Sequence, residues 1–485
     1  MRHTVNTTIV NQVTGVPLSS DGVMGLFCQG IAVGASSGVT GTILDKLYLL
    51  TSVDDLAVMG ITDAYDKTNG LAVYQQVSEF YAEAGDGALL WLVVTATAYS
   101  TYVASSTFAN LLKGSATADY ANKIKMLGLC FGLTATLNNS TTAYLPAVCT
   151  DTITPLQTQL DALFLAGYQM SAIIDGANAS QNAAYATIAA IETVATLAKP
   201  SVSVCLTGSR GNGVSGVGAA LGRFAKISIG HGFNCVEDGS VYGTRSFMTN
   251  GFAKYSPDTI TTGGVKLSTL SLTIPITTLV NAHNYVVVGD GAVYNGVTYY
   301  NGQTIAVTTA NGLAYTLSSA LNTVYLIEKS TDVQSLIDSE FNSLGDKQYM
   351  FHRTWPRHSG FFWNDAATCE DQIKMLSTQE YNRVANYLAD ACQYFFTNQI
   401  GKNLPMDLGT GAIDPGYIEA KQTEFKKTYI EPKAVNTGTG DLSGGSLVID
   451  GTGFFSTKTM GFALTIVPTV IMGGATGEIK FSSTL

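Results

Sequence analysis

Residues 89–95 read LLWLVVT, seven positions without a charge and dominated by large or β-branched apolar side chains. A strand with one wet face alternates apolar and polar residues, whereas an unbroken apolar run of this length is covered on both faces. Similar runs recur downstream at 125–132 (KMLGLCFG), 171–176 (SAIIDG), 201–208 (SVSVCLTG) and 226–232 (KISIGHG). Stretches of helical length, 152–166, 180–197 and 215–226, separate the later runs. Strands alternating with crossover helices of about 10–18 residues predict an α/β layer domain with a largely parallel sheet, over about 44–254.

Upstream, LYLLTS (47–52) reads as a strand. Ser52 and Asp55 then form an S-x-x-D capping signature for a short helix ending at Gly60. Leu71, Tyr74, Val77 and Tyr81 share one helical face. Before them, a Gly-rich passage at 22–42 holds an apolar stretch from Gly25 to Val33.

Residues 256–327 change character. Thr, Val, Tyr, Asn and Gly dominate, and Asp290-Gly291, Asn295-Gly296 and Asn301-Gly302 are hairpin-turn dipeptides between short alternating runs. An inserted all-β module is expected there, with no helix longer than a turn. The helical period returns from 330 with Val333, Ile337, Phe341 and Leu344. A strand pair is expected around QYMFHRTW and GFFW. Next comes the strongest helix of the chain, with Tyr381, Val384, Tyr387, Leu388, Ala391, Cys392 and Phe395 on one face. Pro415 opens a further helix, and the tail (SGGSLVID, TMGFALTIVPTVIM, GEIKFSSTL) is strand material.

Two alternating segments, 2–14 and 474–484, are strands with no partner nearby in sequence. Such strands expose a row of backbone donors and acceptors and tend to complete a sheet edge elsewhere.

Of the 485 residues, 46% are hydrophobic and only 13% charged, against about 25% in ordinary soluble domains. The chain is long enough for about three domains. Its sparse charge and 50 glycines suit a subunit that buries much of its surface against copies or partners. A net charge of −10 without a Lys/Arg cluster lacks the footprint of a nucleic-acid binder. The start, MRHTVNTTIV, does not read as a secretory signal. No apolar run approaches the roughly 20 residues of a membrane span, so no membrane insertion is expected. The seven cysteines (28, 130, 149, 205, 235, 369 and 392) are scattered without a C-x-x-C and read as reduced packing residues.

The most enzyme-like signal is Gly211-Asn-Gly213-Val-Ser-Gly216, between a strand and a helix, with Glu237 about twenty residues on, as in a dinucleotide fingerprint. It follows several earlier βα units, however, and opens a helix of small residues (GVGAALG), which reads as a packing turn. His352, Arg353, Trp355, Arg357 and His358 cluster in FHRTWPRHSG, and an Arg stacked on Trp explains them without chemistry. Asp365 and the acids of AATCEDQIK could ligate a cation or cap a helix. Asp175 ends a strand where doubly wound folds place active groups, but with no partner in view. None of the five histidines has metal-ligand spacing. The expectation is no catalytic residue, no cofactor and no metal.

Three segments together resemble the contractile tail sheath family of phages and injection systems. They are LYLLTSVDDLAVMG with GLAVYQQVSEFYAEAGDGALLWLVV, then ALGRFAKISIGHGFNCVEDGSVYG, then HSGFFWNDAATCEDQIKMLSTQEYNRVANYLADACQYFFTNQIGKN, where Arg383 and Val384 hold the family's "R-V" place. The resemblance spans about 44–254 and 330–485. It implies a multidomain α/β protein: an extended N-terminal arm (1–20), an α/β sheath domain (21–255 plus 328–345), an inserted β-rich surface module (256–327), an α+β C-terminal domain (346–473) and a C-terminal arm (474–485). It further implies a structural subunit, not an enzyme, assembled in the bacterial cytoplasm into a virion tail or contractile injection particle. The subunit would form stacked rings or a helical sheath around an inner tail tube, with baseplate and terminator proteins at its ends. Val5, Thr7, Ile9, Val10, Val13, Ile479 and Phe481 are the expected inter-subunit arm contacts. Three other readings stay open: a nucleotide- or NAD-dependent enzyme using the Gly211–Gly216 turn, a receptor-binding or adhesive protein using the β module, and a tail-tube or baseplate component, of which the α/β region argues against the tube.

Overall fold

The computed structural model describes residues 22–33, 43–69, 71–113, 124–131, 147–176, 192–206, 215–241, 344–353, 357–399, 402–407, 409–436, 438–452 and 461–469, with short strands between 265 and 328 and the single positions 342 and 355. They fall into two units. Unit 1 takes Met1–Ile227 and Phe233–Asn382; unit 2 takes Ser228–Gly232 and Arg383–Leu485.

Unit 1 is built on a six-stranded sheet. Its strands are β1 (Met24–Gln29), β2 (Leu47–Leu50), β3 (Leu90–Thr95), β4 (Met126–Cys130), β5 (Ser171–Asp175) and β6 (Val202–Cys205), in the order β2-β3-β1-β4-β5-β6. All neighbours are parallel except β2, which runs antiparallel to β3 at the edge. The apolar stretch from Gly25, to which the sequence assigns no element, is thus the central strand.

Successive residues of each strand enter different cores, which is why these strands lack polar alternation. Phe27, Val93, Leu127, Leu129 and Ile174 face one core with Tyr99, Phe108, Leu156 and Leu160. Leu26, Cys28, Leu92, Val94, Met126 and Ile173 face the other with Val77, Phe80, Leu221 and Phe224. The helices of the second face are α1 (Asp55–Val58), α2 (Asp63–Asn69), α3 (Val73–Ala84) and, later in the chain, α7. Those of the first are α4 (Tyr99–Tyr102), α5 (Ser106–Lys113) and α6 (Ala147–Leu165). α7 spans Val217–Lys226. Asp55 accepts from the Thr51 and Ser52 amides at 2.6 and 3.1 Å, the reach-back half of the capping signature read from the sequence.

Of the expected helix 180–197, residues 180–191 lie outside the described residues, and Ala195–Leu197 forms a 3₁₀ turn. KISIGHG is not a strand. Its Ser228–Gly232 portion belongs to unit 2, where the Ser228 hydroxyl and the Gly230 amide donate to Asp441 Oδ1 at 2.8 and 3.0 Å. Those side-chain bonds hold the segment in turns.

Between 265 and 328 the described residues form the strands β7 (Val265–Lys266), β8 (Tyr285–Val288), β9 (Val293–Tyr294), β10 (Val297–Thr298) and β11 (Tyr325–Glu328). β7-β11-β8 is an antiparallel sheet, and β9 pairs with β10 across the Asn295-Gly296 dipeptide. The expected pair near QYMFHRTW and GFFW is β12 (His352–Arg353) against β13 (Phe362–Trp363). Residues 346–382 group with the α/β unit, although the sequence reading places a boundary at 345. The reason is visible in the backbone: Met350 and Cys369 both bond to β6 and cover its outer edge.

The long helix α8 (Gln379–Thr397) supplies the core of unit 2 from Arg383 onward. Val384, Leu388, Ala391, Cys392 and Phe395 are buried there with Phe425, Ile430, Leu442, Leu447 and Ile449. α9 (Pro415–Phe425) begins with Pro at its first turn, and Asp414 caps it by accepting from the Tyr417 amide at 2.9 Å. β14 (Leu442–Asp450) and β15 (Gly461–Pro468) form an antiparallel pair.

Candidate functional site

Doubly wound sheets bind ligands at the carboxyl ends of strands where the strand order reverses. Here the chain leaves β1 toward β3 and returns to β4 on the other side, so the reversal lies between β1 and β4. Among the described residues, Tyr99 bonds to a carbonyl of each of these two strands. Tyr99 is fully buried, and its hydroxyl donates between the Phe27 and Cys130 carbonyl oxygens at 2.7 and 3.1 Å. Just past the end of β1 the Tyr65 hydroxyl donates to the Ile31 carbonyl at 2.7 Å and accepts from the Ile31 amide at 3.0 Å. Burial holds both phenols above their ordinary range.

Gly211 and Gly213 of the glycine turn lie outside the described residues; Ser215 and Gly216 lie within them. The Ser215 hydroxyl donates to Asp175, so the strand-end carboxylate is tied to the turn. The helix after the turn packs closely on α3: a methyl group on Gly218 would overlap the Gln76 carbonyl, and one on Gly222 the Phe80 carbonyl. Glu237 is exposed on a 3₁₀ turn, not at a strand end. These features match a packing turn.

In the FHRTWPRHSG cluster, the Arg353 guanidinium sits 3.9 Å from the Trp355 ring centroid, the expected stack, and donates to Asn364 at 3.2 Å. His352 is buried with its ring 3.9 Å from that of Trp363, and burial pushes its pKa down to about 3. Glu370 pairs with Lys374 at 2.8 Å, and Glu380, which the sequence reading passed over because it looks like an ordinary first-turn acid, is buried, its carboxyl raised to about 7 by burial first and by the charge of Asp365 second. A pocket lined by Glu83, Arg223, Phe233, Cys235 and Trp363 has about 10 Å³ of interior, room for one water. Cys28, Cys130, Cys205, Cys369 and Cys392 are buried thiols outside any disulfide, as their apolar surroundings suggest. No helix among the described residues is long and apolar enough to cross a membrane.

A different kind of surface lies in unit 2. Leu447, Ile449, Leu464 and Ile466 of the β14–β15 pair pack inward, while Val448 and Val467 are 56% and 49% exposed. Among the described residues the pair has no third strand; only the Ala434–Leu442 bridge touches its beginning. Two strands of nine and eight residues with open edges are a template for further strands. The expected arm contacts Val5, Thr7, Ile9, Val10, Val13, Ile479 and Phe481 lie outside the described residues.

The model of the DUF2586 N-terminal domain matches residues 2–260. The chain belongs to the DUF2586 family. No curated protein matches this member's sequence. Its fold is similar to that of a chain in the cryo-EM structure of the anti-feeding prophage baseplate, 6-fold symmetrised, at TM-score 0.50 and 8% identity over 100% of both chains. Chains of the anti-feeding prophage helical sheath in its contracted state (TM-score 0.48, 9% identity, 99% of each chain) and of the sheath complex of an extracellular contractile injection system, PVC, in its contracted state (0.47, 12%, 99% of this chain and 98% of that) also match. The likeness of this DUF2586 protein to the anti-feeding prophage baseplate chain is one of fold.

Proposed function

We propose that the chain is a structural subunit of a contractile sheath, which polymerises around an inner tube and drives it through a target envelope by rigid-body rearrangement of its subunits. The observation that carries this reading is the β14–β15 pair, a two-stranded sheet with open edges in a chain whose two ends both read as unpartnered strands. Strands from neighbouring copies would complete that sheet, and main-chain hydrogen bonds would keep neighbours joined while other contacts exchange. The arms are 2–14 and 474–484, with Val5, Thr7, Ile9, Val10, Val13, Ile479 and Phe481 as contacts. The strands between 265 and 328 form a surface module. Inner tube, baseplate and terminator proteins are the other partners, and assembly takes place in the bacterial cytoplasm.

A non-enzymatic role is supported by Tyr99, whose hydroxyl is committed to carbonyls of both β1 and β4. The fold likeness to a chain of the anti-feeding prophage baseplate supports a role in such a particle. The deciding experiment is negative-stain microscopy of the purified chain and of variants lacking 1–14 or 474–485. Long hollow tubes from the full chain, with folded monomers from both truncations, are expected. Tubes from the truncated chains would sink the arm assignment. Closed single rings from the full chain would point to a baseplate component.

A further inference from the structure

β1 and β4 are neighbours in the six-stranded sheet, and their register sets Cys28 opposite Cys130. Partners in register on parallel strands project from the same face, and both thiols enter the core shared with Val77, Phe80 and Leu221. Each residue is 1% exposed. The Cys28 thiol is in hydrogen-bond contact with that of Cys130. Beside them the Tyr99 hydroxyl bridges the Phe27 and Cys130 carbonyls at 2.7 and 3.1 Å, which pins the two strand ends in this register.

Adjacent strands lie about 4.8 Å apart, inside the range of about 4.4–6.8 Å between the Cα atoms of disulfide partners. Among the described residues of the sheet, no other two cysteines meet this condition. Cys205 is on β6, and β5 separates it from β4, so its Cα is about 10 Å from that of Cys130. We infer that Cys28 and Cys130 are a cross-link site: two thiols in a reducing compartment, one disulfide between β1 and β4 in an oxidising one.

The chemistry balances with a peroxide as oxidant. One thiolate sulfur attacks a peroxide oxygen and breaks the O–O bond, giving a sulfenic acid and one water. The second sulfur attacks the sulfenic sulfur, its proton leaves with the hydroxyl as a second water, and the S–S bond forms. Two electrons pass from the sulfurs to the peroxide. Burial first, then the contact with Cys28, hold the Cys130 thiol well above its ordinary range, and the carboxyls of Asp175 and Glu79 push the same way. Thiolate is therefore scarce, and cross-linking is slow and governed by opening of the strand ends. The disulfide itself carries no charge, which suits a site where an anion is disfavoured. Once formed, it closes a loop of about 100 residues, long enough for a large gain in stability.

The test exposes the purified full chain to dilute hydrogen peroxide at about pH 8, in urea below the unfolding midpoint, where the sheet is native but opens more often. After unfolding and alkylation, mass spectrometry of an unreduced digest reads the links. Expected are a peptide pair joining Cys28 to Cys130, dissolved by dithiothreitol, and a Tm several degrees above that of the reduced chain. Cys28→Ala should lose both effects, and Cys205→Ala should keep both. The wild-type digest decides the matter even where a variant fails to fold. Cys28 and Cys130 found separately alkylated, or oxidised to sulfinic acids, once the half-buried Cys235 has been consumed overturn the proposal. So does a link from either of them to a third cysteine.

Discussion

The Gln76 side chain clamps the start of α7 through Gly218, its Oε1 accepting the Gly218 amide at 2.6 Å while its Nε2 donates to the Ser215 carbonyl at 2.6 Å. Both ends of one buried amide are thus spent on a helix 142 positions away in sequence. This works only because residue 218 has no side chain, so that the backbones of α3 and α7 approach closely.

Replacing Gly218 by alanine should therefore separate the two helices. The added methyl meets a carbonyl that cannot rotate away, and the clamp is broken as well. A loss of about 3 kcal/mol or more is expected, from overpacking together with two orphaned buried groups. Urea denaturation should show a lower midpoint with an unchanged m-value. Gln76→Ala should cost about half as much, because the polar bonds go but no overlap is created.

Tyr99 gives a second prediction. Tyr99→Phe leaves two strand-end carbonyls without their donor and should cost about 1–2 kcal/mol. Tyr99→Ala should cost about 3–5 kcal/mol by opening a cavity in the core. Wild-type protein should show no thermal shift with NAD or ATP. A clear shift would revive the nucleotide-enzyme reading.

Asp66 gives a prediction in pH. It is buried and accepts the Val73 and Gln75 amides at 2.9 and 3.0 Å, so it caps α3 from seven residues upstream of the first of them. Burial outweighs those bonds and raises its pKa from 3.8 to about 6. Stability should therefore decline with rising pH between those values. Asp66→Ala should remove this part of the decline and lower stability by about 1 kcal/mol through the lost cap. A decline unchanged by Asp66→Ala would show that the slope arises elsewhere.

The outer face of the β14–β15 pair allows a test of assembly independent of the arms. Val448→Lys with Val467→Lys adds charge where the side chains already meet solvent, so monomer stability should change by no more than about 0.5 kcal/mol for each site. Polymer yield by sedimentation should fall sharply. Unaltered tubes would mean that this face stays wet in the assembly.

Much of the α/β unit was legible because double-sided burial leaves its mark directly in composition. LLWLVVT, KMLGLCFG and SAIIDG have no polar alternation, and each is a parallel strand with a core on either side. The central strand β1 was not legible. Its pattern looks like loop sequence because Gly25 leaves room for Ile124 and Leu127, and Gly30 lies against Val94 and Tyr65. KISIGHG misled for the opposite reason: its apolar residues enter cores from turns, and side-chain bonds to Asp441 replace a ladder. Glu380, buried in the first turn of α8, was not legible because it carries no motif. Asp365 drew notice only as the neighbour of an acidic loop.

Asp441 holds residues that precede it by more than two hundred positions, and this limits how the protein can be cut or recombined. A fragment beginning at Arg383 would lack Ser228–Gly232, and with it two of the donors that satisfy a carboxylate buried to 2% exposure. The C-terminal unit is therefore not a cassette. A chimera joined at a single point near 383 would inherit a half-satisfied acid in its interior, so exchange between relatives must carry both pieces together or neither.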